Sequence, residues 1–416
     1  MEMKIKCFRF LEAITMATVM TVFSSCASTK ATGGQASPDA RATVSQSSAT
    51  ASPVEFAANS PAPEVSAKLK VGLFLDEGCR GNGALQWVML LAHSPQVELT
   101  LLDGKAIRDG KLNGLKLLVC PGGGGAKQIG AMKPAGYALV KKFVEEGGSY
   151  LGICAGSYNA MNREGRFGFL PYDYIQGAHG KLADLAIDFN EQGAAMLGIE
   201  PGRHIARYNG GNVMTPTEPT GKGEAQVLAV FKSSTGNHDK VAYNFIDTPA
   251  AVFGKYGKGK VAVTSFHPES YESTHCIALG CVYALSGIKP VPVYPQKSSR
   301  PLRVGFLSLA CVGPRAANEL LELDGNPALD VDIFSLHEIN EGRMRHYDVV
   351  IMPDGDGNSY KNMFEKTFYK GQFDKYLEQR GRIVASGNGA QYLPKNANVK
   401  ALPVGESFVK HVLNAD

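Results

Sequence analysis

Residues 149–158 read SYLGICAGSY. An apolar run ends in a cysteine framed by glycines, and a segment of helical character follows. Gly152, Cys154 and Gly156 form a glycine–x–nucleophile–x–glycine turn. In such a turn the central residue sits at a sharp strand-to-helix corner, with its side chain above the carboxyl edge of the sheet. The N-terminus of the following helix favours a thiolate and offers N–H groups to an oxyanion. The flanking segments decide the fold. KLKVGLFLD (68–76) and GLKLLVC (114–120) are nearly continuous apolar runs, as in strands buried on both faces. AGYALVKKFVEE (135–146) has helical spacing and stops at Gly147 and Gly148. Strands alternating with helices predict an α/β fold, a doubly wound parallel sheet.

The pattern then recurs. RPLRVGFLSLAC (300–311) parallels KLKVGLFLDEGC (68–79), and YDVVIMPDGDG (347–357) parallels LKLLVCPGGGG (115–125). FDKYLEQRGRIVASGNGAQYL (373–393) parallels the helix, strand and turn around Cys154. This predicts an internal duplication of a whole α/β unit. The Pro-rich stretch GIKPVPVYPQKSSRP (287–301) joins the copies. In this alignment Asn388 stands where Cys154 stands, and the second copy is truncated.

The 416 residues suggest two or three domains, and 44% hydrophobic with 20% charged residues is ordinary globular composition. A formal charge of +4 without a Lys/Arg cluster argues against a nucleic-acid partner. At the N-terminus Lys4, Lys6 and Arg9 precede the short apolar stretch AITMATVMTVF (13–23) and then SSCAS. This is a signal peptide, too short to stay as a membrane span. Small residues before Cys26 match a lipobox, which predicts lipidation of Cys26; cleavage by ordinary signal peptidase is the alternative. The Ala-, Ser- and Pro-rich stretch 27–67 reads as a flexible tether. The expected location is the bacterial cell envelope, lipid-anchored and facing the periplasm or exterior, with the membrane reached through the lipid. The expected domains are a signal peptide 1–26, linker 27–67, first α/β domain 68–290, linker 291–300 and a degenerate second copy 301–416. Among eight cysteines no CxxC pair or His/Cys cluster points to a metal, and no cofactor is expected. Cys276 and Cys281 fall in an apolar helical run and read as core thiols.

A thiol nucleophile needs a base, and the base needs an orienting acid. Residues 261–269, VAVTSFHPE, form a strand that ends in His267 and Glu269. Two apart on an extended segment, the pair points the same way. PGGGG (121–125) ends the neighbouring strand. One of Gly122, Gly123 and Gly124, with the Ala155 N–H, is expected to form an oxyanion hole. Asp76 and Glu77 follow the first strand at the same sheet edge, where ligands bind. Tyr158, His179 and Asn209 are further pocket candidates. Cys79, just beyond Asp76, is a candidate for a reversible disulfide that masks Cys154.

The glycine elbow, the glycine loop and the strand-terminal FHPE, in this order, resemble the class I glutamine amidotransferase-like superfamily. The stretch PGGGG…LGICAGSY…ARYNGGNVM…FGKYGKGKVAVTSFHPE resembles more narrowly the N-terminal domain of biotin–protein ligases, which also occurs in bacterial exported proteins. The resemblance covers about residues 68–290. It implies a flavodoxin-like fold, with Cys154, His267 and Glu269 as nucleophile, base and acid. It does not imply biotin ligation, since the ligase's adenylate-binding motif is not seen. The expected function is a thiol hydrolase acting on an amide or peptide-like bond of an unknown small-molecule or peptide-like substrate. The alternative is a binding module that kept the fold without the chemistry.

Overall fold

A computed structural model describes residues 67–175, 182–217, 223–238, 241–243, 245–309 and 313–414. The expected signal peptide with Cys26, the expected linker before residue 67, His179 and Cys311 lie outside the described residues.

The first copy begins with β1 (Leu69–Phe74), α1 (Gly81–Ala92), β2 (Val97–Leu102), β3 (Leu117–Cys120), α2 (Gly125–Glu145), β4 (Ser149–Ile153) and α3 (Ala155–Ala160). β3 and β4 are buried at every residue, so both faces of the sheet are covered. α2 breaks at Lys133, whose φ is 58°, because Pro134 disfavours the helical conformation before it. Next come β5 (Leu182–Phe189), β6 (Gly202–Asn209), β7 (Gly223–Phe231), β8 (Pro249–Tyr256), β9 (Gly259–Thr264) and α4 (His275–Ser286). The nine strands form one sheet in the order β2-β1-β3-β4-β9-β8-β7-β5-β6. The half from β2 to β9 is parallel, as the alternating pattern predicts. The half from β8 to β6 is antiparallel. The sequence pattern does not predict this extension; its edge strands β5 and β6 alternate buried with more exposed residues because one face meets solvent.

The second copy comprises β10 (Leu302–Leu307), α5 (Pro314–Asp324), β11 (Leu329–Phe334), β12 (Val349–Met352), α6 (Gly357–Glu365), α7 (Thr367–Glu378), β13 (Arg382–Ser386), α8 (Gly387–Gln391) and β14 (Val399–Leu402). Its five strands run in the order β11-β10-β12-β13-β14, all parallel. This repeats the order β2-β1-β3-β4-β9 of the first copy. What the second copy lacks is the antiparallel extension: residues 161–258 separate elbow helix and last parallel strand in the first copy, residues 392–398 in the second.

The copies share a core. Trp87 and Leu91 of α1 and Leu320 and Leu323 of α5 belong to one continuous buried cluster. At its border His93 Nε2 meets Asp324 Oδ2 at 2.7 Å, and Lys297 Nζ reaches Asp324 Oδ1 at 3.2 Å. Among the described residues no helix is long and apolar enough to cross a membrane.

Candidate active site

Cys154 lies between β4 and α3 with φ 49° and ψ −98°. A non-glycine residue holds such a backbone only where its surroundings force it, and such positions concentrate at functional sites. The surroundings are visible. The Cys154 N–H donates to Thr264 O of β9 at 2.9 Å, tying the corner to the neighbouring strand. A Cβ on Gly156 would lie 2.1 Å from Cys120 O, so only glycine lets α3 start this close to β3. The thiol is almost buried, at 4% exposure, and its sulfur lies 3.7 Å from Asn209 O.

His267 follows β9, and its N–H donates to Arg207 O at 2.8 Å. Its Nδ1 lies 2.8 Å from Glu269 Oε1, and Glu269 is fully buried. The first turn of α1 approaches this carboxylate: a Cβ on Gly83 would lie 2.3 Å from Glu269 Oε1. A helix N-terminus favours a negative charge there. Burial alone would lower the affinity of the imidazole for its proton. Glu269 and Cys154 outweigh it and raise the His267 pKa to about 10. The other ring nitrogen, Nε2, is buried without a hydrogen-bond partner.

Gly122 shows that base and thiol converge. A Cβ there would lie 2.5 Å from His267 Cε1 and 3.5 Å from Cys154 Cβ. Gly122 and Gly123 line the cavity in front of Cys154. Gly124 does not serve as an oxyanion donor, because its N–H already donates to Gly78 O at 2.7 Å. The Ala155 amide is the first of α3 and has no acceptor within its own helix.

Other sequence candidates are placed differently. Asp76 spends its carboxylate on backbone: Oδ2 accepts from Gly104 N at 2.8 Å and Oδ1 from Glu77 N at 2.6 Å. Glu77 points outward toward Lys127, at 3.7 Å. Neither lines the cavity. Tyr158 packs edge-on against Tyr174 and donates to Gly210 O at 3.1 Å, so it positions the loop above Cys154 rather than facing a ligand. Asn209, the last residue of β6 before that loop, does line the cavity. Cys79 and Cys154 are free thiols, not a disulfide. Cys79 is fully buried, its Sγ donates to Phe74 O at 3.3 Å, and burial pushes its pKa far above the usual thiol range. Cys281 is a core thiol as expected, whereas Cys276 is exposed.

The cavity holds about 690 Å³. Its floor is the carboxyl edge of the first sheet, and its roof comes from the second copy: Ser308 after β10, His337 after β11, and Ser359 and Lys366 around α6. The sequence reading missed this roof, and it missed Arg80 and Arg207. Arg80 was legible, since it opens the helix after the first strand. Nothing in the sequence sets the two carboxyl edges face to face. Another cavity of about 620 Å³, lined by Arg303, Tyr347 and Arg382, lies at the amino edge of the second sheet, far from the elbow. Among the described residues no cluster of His, Cys, Asp and Glu is arranged to hold a metal.

Strand register corrects the alignment of the second elbow. Cys120 pairs with Gly152, and Met352 pairs with Ala385. The residue two beyond Gly152 is Cys154, and the residue two beyond Ala385 is Gly387, not Asn388. Gly387 has a matching positive φ of 50°, which glycine adopts without strain. Asn388 therefore stands at the position of Ala155. Its N–H donates to Asp354 Oδ1 at 3.0 Å, and Asp354 occupies the position of Gly122.

Comparison with known proteins gives a partial resemblance and a limit. Residues 99–169, spanning the glycine loop and the elbow, match the family model "Biotin-protein ligase, N terminal". The chain is 27% identical over 222 residues to the biotin–protein ligase of Schizosaccharomyces pombe, covering 44% of this chain and 32% of the ligase. It is 30% identical over 146 residues to an uncharacterized protein of Chlamydia muridarum, covering 30% of this chain and 55% of that protein. The chain thus spans about a third to a half of the curated relatives it matches. Among solved structures, PurLQS from Thermotoga maritima aligns at 17% identity over 53% of this chain and 100% of that one, with a TM-score of 0.39. The resemblance to the biotin–protein ligase N-terminal family stands over residues 99–169.

Proposed function

We propose that this protein is an exported, lipid-anchored thiol hydrolase that cleaves an amide or peptide-like bond with Cys154, His267 and Glu269. The observation that carries this reading is the convergence at Gly122. One missing side chain separates His267 from Cys154, while Glu269 grips the far side of the ring at 2.8 Å.

The chemistry follows from these positions. The Cys154 proton passes to His267 Nε2, the ring atom left without a partner, and Glu269 stabilises the imidazolium. The sulfur attacks the carbonyl carbon, and the oxyanion that forms faces the amides of Ala155 and the Gly122–Gly123 loop. Collapse breaks the C–N bond, and His267 returns its proton to the departing amine. Water, deprotonated by His267, then attacks the thioester and releases a carboxylic acid and the free thiol. The raised His267 pKa suits a group that must hold the thiol proton. A lipobox-like Cys26 and a polar tether support an envelope location. Hydrolysis suits such a location better than delivery of ammonia to a synthase partner.

The test is amine release from a panel of γ-glutamyl and peptide amides, with Cys154→Ser alongside. Release from at least one compound by the wild type alone is expected. Equal release by Cys154→Ser contradicts the reading.

A further inference from the structure

We infer that the cavity between the two copies binds the anionic group of an acyl substrate, and that the second copy supplies part of that site through Lys366. The inference names a substrate class for the proposed hydrolase, and only the word substrate rests on that reading.

The charges lining the cavity are of one sign. Arg80 and Arg207 come from the first copy and Lys366 from the second, and no Asp or Glu is among the described residues lining it. The whole chain carries only +4, so this is local concentration rather than overall bias. The nearby acids are spent elsewhere. Glu269 holds His267, Asp356 accepts from Ser359 at the start of α6, and Glu341 pairs with His337 at 3.2 Å. Arg207 also feels Glu338 on its outer side, across a neighbouring cavity, without an ion pair. Among the described residues Arg80 and Lys366 have no acidic partner, and Lys366 lies only over the Tyr369 ring at 5.7 Å.

Unused hydrogen-bonding groups supply the second observation. Ser308 is 4% exposed, lines the cavity and has no partner for its hydroxyl. Asn82 Oδ1, also on the lining, is buried without a donor. Buried polar atoms are normally paired. A hydroxyl that can donate, an oxygen that can only accept and three cations together suit a ligand with an N–H and an anion. That is an amide bearing a carboxylate or a phosphate.

The test is thermal unfolding of the full chain with glutarate and with inorganic phosphate, in the wild type, Lys366→Glu and Lys370→Glu. Lys370 lies on α7 outside the lining and controls for charge. A rise in Tm of about 3–5 °C at saturation is expected, kept by Lys370→Glu and lost in Lys366→Glu. A rise with glutarate alone assigns a carboxylate, and a rise with phosphate alone assigns a phosphate ester. No rise with either probe, or a rise untouched by Lys366→Glu, overturns the inference. Iodoacetamide labelling of Cys154 in wild type and His267→Ala reads the catalytic proposal separately. Anion binding beside an inert Cys154 leaves the site and removes the hydrolase, and a reactive Cys154 without anion binding does the reverse.

Discussion

The two elbows of this chain share a backbone and differ in what it carries. Both copies place a residue of positive φ after the fourth parallel strand, φ 49° in Cys154, where a side chain makes it strained, and φ 50° in Gly387, where none does. Both place a glycine two residues later against a strand carbonyl: a Cβ would lie 2.1 Å from Cys120 O at Gly156 and 2.5 Å from Met352 O at Gly389. In the first copy the corner carries a thiol, the facing loop position is Gly122 and the helix amide is open. In the second the corner has no side chain, the facing position is Asp354, and its carboxylate closes the amide of Asn388 at 3.0 Å. Asp354 also blocks the corner, because a Cβ on Gly387 would lie 2.3 Å from its Oδ1. The positive-φ corner is thus a property of the fold, and the strain comes from the Cys154 side chain. The chemistry depends on which loop position is left empty.

The largest effect is expected from moving the second elbow's block into the first. Gly122→Asp puts a carboxylate beside His267 and the Ala155 amide, and is expected to slow Cys154 acylation or alkylation by about 100-fold or more. Far-UV circular dichroism checks that the fold survives. Unchanged labelling would show that an empty loop position is not what separates the elbows.

A smaller effect is expected in pH dependence, since the second elbow has no imidazole pair. The His267 pKa is raised in the folded state, from 6.5 to about 10. The stabilisation it brings is therefore full below about pH 6.5 and is lost as pH rises through about 10. The Tm of the wild type relative to His267→Gln is expected to fall across that window. A difference that grows with pH would contradict a stabilised imidazolium.

The smallest effect belongs to the second elbow itself. Asp354→Ala removes the acceptor of the Asn388 amide and an ion pair with Arg315 at 3.7 Å. It is expected to cost about 1 kcal/mol of stability, read by denaturant titration, because Asp354 is partly exposed. Cys154 labelling serves as the control. A loss of several kcal/mol would mean that Asp354 holds the second copy together.

Much of this was legible in the sequence. Apolar runs of strand length, the glycine corner and the strand-terminal HPE give the parallel sheet and bring Cys154, His267 and Glu269 to one edge, since all three positions follow from strand ends. The failures have physical causes. Asn388 was aligned by glycine spacing, whereas register is fixed by strand pairing, which spacing alone does not reveal. Asp76 was read as a ligand acid because it ends a strand, but its carboxylate is consumed by the Gly104 and Glu77 amides. The cationic roof depends on how α1 packs against α5, a contact between buried faces that no local motif encodes.

The central claim is that Cys154 is activated by His267. It is tested most directly by the rates at which iodoacetamide labels Cys154 and the exposed Cys276 of the same chain, with His267→Ala alongside. The account predicts that Cys154, though almost buried, reacts faster than Cys276, and that this advantage disappears in His267→Ala. A Cys154 slower than Cys276, and unchanged by His267→Ala, would contradict it.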